Sequence, residues 1–242
     1  KPGEVHALMG ENGAGKSTFI KVITGVHKAE EGEMYLYGKP VKFKSTRDAQ
    51  KAGIAAMVKN NGSRTNEEAY WDAYTAVSGK EILNHMSVFE DFYEHEFDQV
   101  AAVCGFNPKA AELVHDLQAK GIRVILATNP LFPRIATQKR IRWARLTPED
   151  FELYTTYEDI GTCKPNPDYY REVLARTGLD ASDCVMVGND VGEDMMAGAQ
   201  AGLRGFLLTD CLINTPNADV NDYPHGSFKE LKAYLTQLIE EA

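Results

Sequence analysis

Several features that would assign a protein to a specialised class are missing from this sequence of 242 residues. It has no run of 18 consecutive apolar residues, so we expect no transmembrane helix. The opening residues contain no apolar stretch with a cleavage site, so no signal peptide is expected there. The four cysteines are widely spaced and form no Cys-x-x-Cys pair. This usage favours free thiols in a reducing cytoplasm over a disulfide framework or a zinc site.

Basic residues are outnumbered by acidic ones, 26 to 35, which gives a net charge of −9. Residues 1–57 are nevertheless basic, with 9 Lys and Arg against 6 Asp and Glu, so the remainder of the chain holds 17 against 29. This asymmetry indicates two parts with different histories. The acidic remainder argues against nucleic acid as a partner.

A glycine-rich loop follows the first predicted strand, Glu4–Met9. Residues 10–17, with the sequence GENGAGKS, match the pattern GxxxxGK[ST] without a mismatch, and Thr18–Thr24 reads as a helix. A strand, a glycine loop and a helix in this order are the context of a phosphate-binding P-loop. Backbone N–H groups of such a loop surround phosphates, the lysine adds a positive charge and the serine can bind Mg²⁺. The alternative is an ordinary glycine turn.

The sequence of residues 1–56 closely resembles the beginning of the ATP-binding subunits of sugar-importing ABC transporters. The resemblance is carried by the stretches KPGEVHALMGENGAGKST and EGEMYLYGKPVKFKSTRDAQKAGIA. The resemblance implies that ATP would be the bound nucleotide. It implies contacts to that nucleotide from Gly10, Asn12, Gly13, Gly15, Lys16, Ser17 and Thr18. The family also needs a Q-loop glutamine, an LSGGQ signature, a Walker B acid pair and a switch histidine, and none follows at a suitable position. The resemblance therefore implies a phosphate cradle without ATP hydrolysis.

A helical segment is predicted from residue 58 to residue 105. Apolar and aromatic residues three and four positions apart, such as Tyr70 and Tyr74, indicate about three helices. Thr65 and Glu68 fit a capping box. An aromatic stripe of this kind belongs more often to a hydrophobic core than to a ligand site.

Short apolar runs alternate with helical patterns from residue 106 to residue 242. The runs Ile122–Ala127, Cys184–Val187 and Arg204–Leu208 predict adjacent or near-adjacent strands of a doubly wound parallel sheet. We expect further strands and helices at Phe151–Tyr154, Lys109–Lys120, Asp168–Thr177, Val191–Ala201 and Ser227–Glu240.

Polar residues follow the strands of this sheet at the edge where ligands bind in open α/β folds. Thr128 and Asn129 follow one strand, Lys164 lies in a proline-flanked loop, and Asp190 and Asp194 follow another strand. Two carboxylates at this spacing suit Mg²⁺, which is usually held by carboxylates and phosphates. Each residue also has an alternative role without a ligand. Asp190 could be a helix N-cap and Asp194 an acid in the first helical turn. Thr128 could simply follow the strand, and Lys164 could be a solvated surface charge.

Together these residues resemble motifs II, III and IV of the haloacid dehalogenase (HAD) superfamily over about residues 55–242. The resemblance implies Mg²⁺-dependent phosphoryl transfer through an aspartyl-phosphate. Thr128, beside Asn129, would bind the phosphoryl oxygens, Lys164 would neutralise charge, Asp190 would hold Mg²⁺, and Asp194 would act as a ligand or support one. The first motif of the family, an Asp-x-Asp that supplies the nucleophile, occurs nowhere in the chain.

The sequence thus predicts an α/β protein with a Rossmann-like doubly wound core, a helical cap segment and an N-terminal P-loop fragment. The predicted divisions are 1–57, 58–105 and 106–242. We expect a fusion that joins near Gly53–Val58, in which Val5–Met9 takes the place of the lost first strand. One hypothesis is a HAD-like phosphohydrolase of little or no activity, and the other is a nucleotide-binding protein that uses the P-loop. A small phosphorylated metabolite or nucleotide is the expected partner in either case.

Overall fold

The computed structural model of the protein describes Val22 and residues 31–36, 39–43 and 60–241. The predicted P-loop, Gly10–Thr18, and the predicted strand Val5–Met9 lie outside these residues, as does the expected junction. The described chain divides into two compact units. One consists of Glu67–Cys104 with the described residues before Lys59, and the other of Asn60–Asn66 with Gly105–Ala242.

The first unit contains a short antiparallel hairpin and a series of helices. The hairpin pairs β1 (Met34–Leu36) with β2 (Lys39–Val41). The helices are α1 (Asn66–Ser78), a 3₁₀ turn (Lys80–His85), α2 (Met86–Asp91), a π-helical turn (Phe92–Glu96) and a 3₁₀ segment (Phe97–Val103). The aromatic rings of Trp71 and Phe89 meet edge to face at 5.3 Å. No helix among the described residues is long and apolar enough to cross a membrane.

The second unit alternates strands and helices. In chain order they are α3 (Pro108–Ala119), β3 (Ile125–Leu126), α4 (Arg134–Trp143), β4 (Leu153–Tyr154), α5 (Pro167–Thr177), β5 (Val185–Gly188), a π-helical turn (Val191–Met196), α6 (Ala197–Gln200), β6 (Arg204–Leu208), β7 (His225–Gly226) and α7 (Phe228–Glu240). Short 3₁₀ turns precede β4, β5 and β7.

All strand pairs of the second unit are parallel. β3 pairs with β4, so that Ile125 lies beside Leu153. β5 pairs with β6, and β6 with β7, in the order β5-β6-β7. The prediction that β5 and β6 are neighbours is confirmed. The strand predicted for Ile122–Ala127 is too long, because only Ile125 and Leu126 form β3. β3 pairs with β4 in a two-stranded sheet that is separate from the sheet of β5 and β6.

Helices cover both faces of these strands. On one face, α5 and α6 contribute a buried cluster that packs against β3, β4 and β5, and it includes Tyr169, Tyr170, Val173, Ala197, Ile125, Leu153 and Met186. On the other face, Ala111 and Val114 of α3 lie in one cluster with Leu126 of β3. Leu113 and Leu117 of α3 pack against a second cluster, formed by β6 and α7. Because the same helices span both groups of strands, the doubly wound α/β architecture is confirmed.

Local signals in the sequence explain where the helices begin and end. The Asn166 side chain accepts a hydrogen bond of 3.0 Å from the Asp168 N–H and so caps α5, whose first residue is Pro167. Gly178, with φ of 61°, ends that helix in the left-handed conformation. Ser227 and Glu230 form a capping box at the start of α7.

We expect Leu207→Ala to destabilise the second unit strongly. Leu207 of β6 is 0% exposed, and truncating such a leucine costs about 2–5 kcal/mol. Leu212→Ala is the matched control because Leu212 is 39% exposed, and its change should stay within about 0.5 kcal/mol. Urea unfolding followed by circular dichroism measures both values. Equal midpoints for the two variants would contradict this description of the core.

Candidate functional site

A buried ion pair between Lys164 and Asp194 lies at the carboxyl edge of the second unit's strands. The Lys164 Nζ lies 2.7 Å from the Asp194 Oδ1, and the two side chains are only 9% and 6% exposed. Lys164 comes from the loop before α5, and Asp194 comes from the π-helical turn after β5. The pair therefore fixes these two segments against each other.

The second oxygen of Asp194 holds the turn that follows β5. The Asp194 Oδ2 accepts hydrogen bonds of 3.1 Å from the backbone N–H groups of Asn189 and Asp190. A side chain at Gly188 would overlap the Asp194 carboxylate, so glycine is required by this close approach. The Tyr170 hydroxyl lies 3.4 Å from the Asp194 Oδ1. Both carboxylate oxygens of Asp194 are thus engaged by the protein.

Asn129 joins the end of β3 to the same cluster. The Asn129 Oδ1 accepts a hydrogen bond of 3.1 Å from the Lys164 N–H, and its Nδ2 lies 3.4 Å from the Lys164 carbonyl oxygen. The same Nδ2 donates a hydrogen bond of 3.2 Å to the Glu193 Oε2. Asn129 therefore connects two segments: the loop before α5 that carries Lys164, called the lysine loop below, and the π-helical turn Val191–Met196, called the acidic turn.

Thr128 is fixed through its backbone. The Thr128 carbonyl oxygen accepts hydrogen bonds from the Thr155 hydroxyl at 2.5 Å and from the Tyr169 hydroxyl at 2.8 Å. The Thr128 hydroxyl makes no hydrogen bond to any residue that the structure describes. The backbone contacts hold the end of β3 beside α5.

Asp190 caps the helical turn, as the alternative interpretation of the sequence proposes. Its Oδ1 accepts a hydrogen bond of 2.8 Å from the Glu193 N–H. Its Oδ2 has no partner within the described part of the chain and is the one oxygen of the two aspartates left for a cation. No group of three His, Cys, Asp or Glu suited to a metal ion occurs among the described residues. These residues therefore fit Mg²⁺ only as half of a site.

Burial and like charge act on the acidic turn. Burial raises the pKa of Glu193, the neighbouring Asp190 raises it further, and Lys164 opposes the change. Burial followed by the charge of Asp194 raises the pKa of the Tyr170 hydroxyl, which stays protonated and donates to the Glu193 carbonyl oxygen at 2.9 Å. The site thus combines one buried ammonium with three carboxyl groups.

A family model for haloacid dehalogenase-like hydrolases matches residues 20–202 of the chain. The match covers most of the sequence and includes every residue of the cluster described above. The chain belongs to this family. The family assignment confirms the resemblance that the three ordered motifs predict.

Curated relatives of another kind match shorter stretches. The chain is 58% identical over 65 residues to a fructose import ATP-binding protein of Bifidobacterium longum and 34% identical over 120 residues to a ribose import ATP-binding protein of Bacillus subtilis. These matches cover 27% and 46% of this chain. The chain spans only 13% and 23% of the lengths of those relatives. Similarity to ATP-binding subunits of ABC sugar importers is thus confirmed for part of the HAD-like chain.

Two solved structures resemble the chain at low sequence identity. A HAD phosphatase from Thermococcus onnurineus has a TM-score of 0.49 and 17% identity, covering 70% of this chain and 80% of its own. CbbY from Rhodobacter sphaeroides, solved in complex with phosphate, has a TM-score of 0.47 and 21% identity, covering 60% of this chain and 65% of its own.

The structure brings together most of the site residues that the sequence predicts. Asn129, Lys164, Asp190 and Asp194 form one cluster, whereas Gly10–Thr18 lies outside the described residues. Sequence reasoning missed Glu193, which lies between the two predicted aspartates. Its position one residue before Asp194 in the helical turn is a signal that would have indicated it.

We expect Gly188→Ala to destabilise the second unit, because the added methyl group overlaps the Asp194 carboxylate. Overpacking of this kind costs about 1–3 kcal/mol. Gly198→Ala is the matched control, since its methyl group would lie 3.8 Å from Met186 and glycine-to-alanine within a helix gains about 0.5–1 kcal/mol. Urea midpoints of the two variants should move in opposite directions. A wild-type midpoint for Gly188→Ala would contradict the close approach.

We expect Glu193→Gln to raise the melting temperature at about pH 8 and to lose this advantage in acid. A carboxyl group with a raised pKa contributes its stability below its ordinary pKa and loses it as the pH rises through the raised value. The neutral amide avoids that loss. Glu230→Gln should behave oppositely, because the Ser227 N–H lowers the pKa of Glu230. Thermal unfolding from about pH 8 to about pH 4 tests both directions, and a pH-independent difference for Glu193→Gln would contradict them.

Proposed function

We propose that this haloacid dehalogenase-like hydrolase keeps a phosphate-binding half-site in its second unit and has little or no phosphatase turnover. The observation that carries the proposal is the buried Lys164 ammonium, held at the carboxyl edge of the strands among Asn129, Asp190, Glu193 and Asp194. A buried cation at this edge is suited to an anionic ligand. The expected ligand is a small phosphorylated metabolite or a nucleotide.

The half-site would bind the phosphoryl group through three kinds of donor. Lys164 would supply the positive charge, and the Asn129 Nδ2 would be shared between the phosphoryl group and its present acceptors, Glu193 and the Lys164 carbonyl oxygen. The Thr128 hydroxyl has no competing hydrogen bond within the described residues. Because Lys164 already pairs with Asp194, the arriving phosphate would share this ammonium. Binding by the half-site is therefore expected to be weak.

Low turnover follows from the chemistry that the family route demands. An aspartyl-phosphate route needs a carboxylate that attacks phosphorus and a second group that moves the proton of the leaving group. No Asp-x-Asp exists in the sequence. Asp194 is fully hydrogen-bonded, Asp190 caps its own turn, and the Glu193 carboxylate accepts a hydrogen bond from Asn129. General acid–base help alone is worth about 10²–10⁴-fold, and a lost nucleophile usually costs more.

We propose that Mg²⁺ binds weakly at this edge through Asp190, while Asp194 supports the turn. The carboxylates of Asp190, Glu193 and Asp194 together with the Lys164 ammonium have a net charge of −2. A bound divalent cation would offset this charge. Phosphate binding should therefore be stronger with Mg²⁺ than without it.

The second candidate function is nucleotide binding through Gly10–Ser17. It is favoured by the complete GxxxxGK[ST] pattern and by the identity of 58% over 65 residues with an ATP-binding protein. We propose that the chain is a fusion of such a fragment with a HAD-like body. ATP would then bind without turnover, since no Walker B acid pair follows.

Assays on the full chain separate these functions. We expect p-nitrophenyl phosphate hydrolysis at background with or without Mg²⁺, and inorganic phosphate binding that weakens roughly 10- to 100-fold in Lys164→Ala, where a charge-assisted hydrogen bond is lost. Calorimetric titration measures the binding. Lys109→Ala, which removes an exposed lysine of α3, is the matched control and should bind like the wild type.

Two outcomes would contradict the first candidate. Robust turnover that needs Mg²⁺ and disappears in Asp190→Asn but survives Lys16→Ala would mean that an unidentified carboxylate acts as nucleophile. Turnover or ATP binding that disappears only in Lys16→Ala would favour the P-loop as the active element.

A further inference from the structure

We propose that Asn66 is a positioning residue that holds the two loops of the half-site in register. This inference rests on the proposed function, because the loops in question carry Asn129 and Lys164. Asn66 itself touches neither of these side chains. Its action would therefore be exerted through the backbone of both loops.

The Asn66 carboxamide is buried and fully hydrogen-bonded. Asn66 is only 6% exposed. The Nδ2 lies 3.3 Å from the Pro130 carbonyl oxygen, 3.2 Å from the Thr162 carbonyl oxygen and 3.3 Å from the Cys163 Sγ. Its Oδ1 accepts a hydrogen bond of 3.1 Å from the Asn60 Nδ2. Long-range contacts of one buried amide to two separate loops are the arrangement of a structural clamp.

The contacts reach the residues next to the site. Pro130 directly follows Asn129, and Cys163 directly precedes Lys164. Asn129 makes its own bridge to the Lys164 backbone, so the two loops are joined on one side by Asn129 and on the other by Asn66. Displacement of either loop would change where the Lys164 ammonium and the Asn129 amide meet a phosphate.

The segment that carries Asn66 is packed closely against the lysine loop. The Asn66 N–H donates to the Ile160 carbonyl oxygen at 2.9 Å, and the Asn60 Nδ2 donates to the Arg64 carbonyl oxygen at 2.8 Å. A methyl group at Gly161 would lie 2.6 Å from the Arg64 carbonyl oxygen, so no side chain larger than hydrogen fits there. Asn66 is thus fixed to the Lys164 loop through its backbone N–H as well as through its side chain.

Only a carboxamide satisfies these partners. The two carbonyl oxygens and the sulfur need a donor, and the Asn60 amide needs an acceptor. A carboxylate of the same shape would place its oxygen against the two carbonyl oxygens, and alanine would leave them without this partner. Asn66→Asp therefore removes the donor while it keeps the volume.

The test compares Asn66→Asp and Asn66→Ala with the wild-type full chain by two measurements. Calorimetric titration with inorganic phosphate and Mg²⁺ should give affinities roughly tenfold weaker in both variants, as expected for one lost buried hydrogen-bond donor. Hydrogen–deuterium exchange should become faster in peptides over 128–133 and 160–166. Asn107→Ala is the matched control, since Asn107 caps α3 through the Lys109 N–H and touches neither loop.

The two measurements distinguish the possible failures. Wild-type phosphate affinity and unchanged exchange in Asn66→Asp would overturn the positioning role. If the wild type binds no phosphate but exchange becomes faster in Asn66→Asp and not in Asn107→Ala, the clamp stands and the proposed function fails. If neither the wild type binds phosphate nor exchange changes, both are overturned.

Discussion

The buried pair of Lys164 and Asp194 is the constraint on which the arrangement of the site depends. Removing two charges from water is costly, and the cost is offset only when the charges meet each other and further hydrogen bonds complete them. Here the Asp194 carboxylate also accepts hydrogen bonds from two backbone N–H groups, so its negative charge is surrounded by these donors and the Lys164 ammonium. Removing one partner of a buried ion pair lowers the stability of the fold by more than the intact pair adds to it. The pair therefore specifies the geometry of the site rather than the overall stability.

The same pair shapes what the site can do. With Lys164 neutralised by Asp194, the remaining acids give the cluster an excess of negative charge. Burial raises the pKa of Glu193, and the neighbouring charge of Asp190 raises it further. An anionic ligand must overcome that excess, so a divalent cation and the phosphate would support each other. The proposed phosphate half-site lies at this cluster, and no Asp-x-Asp occurs in the sequence.

Local patterns in the sequence predict β5, β6, α5 and α7, because each combines an apolar run or stripe with a clear capping or turn residue. Helix α4 is not predicted from the sequence, because its buried face includes Thr137 and Lys139 and shows little apolar periodicity. The sequence also indicates the aspartates and Lys164 as neighbours through their places at strand ends. The clamp by Asn66 is not predictable from spacing, because its partners lie 64 to 97 residues away and nothing local selects them.

The π-helical turn Val191–Met196 fixes the number of residues between Asp190 and the buried Asp194. The Asp190 carbonyl oxygen receives both the Asp194 N–H at 2.9 Å and the Met195 N–H at 3.2 Å, so the turn accommodates one more residue than an α-helical turn. Met196, at 40% exposed, is the one exposed residue of this turn. The deletion of a single residue between Asp190 and Asp194 would rotate the carboxylate away from Lys164 by about 100°. In related genes, we therefore expect the length of this turn to be preserved more strictly than its composition.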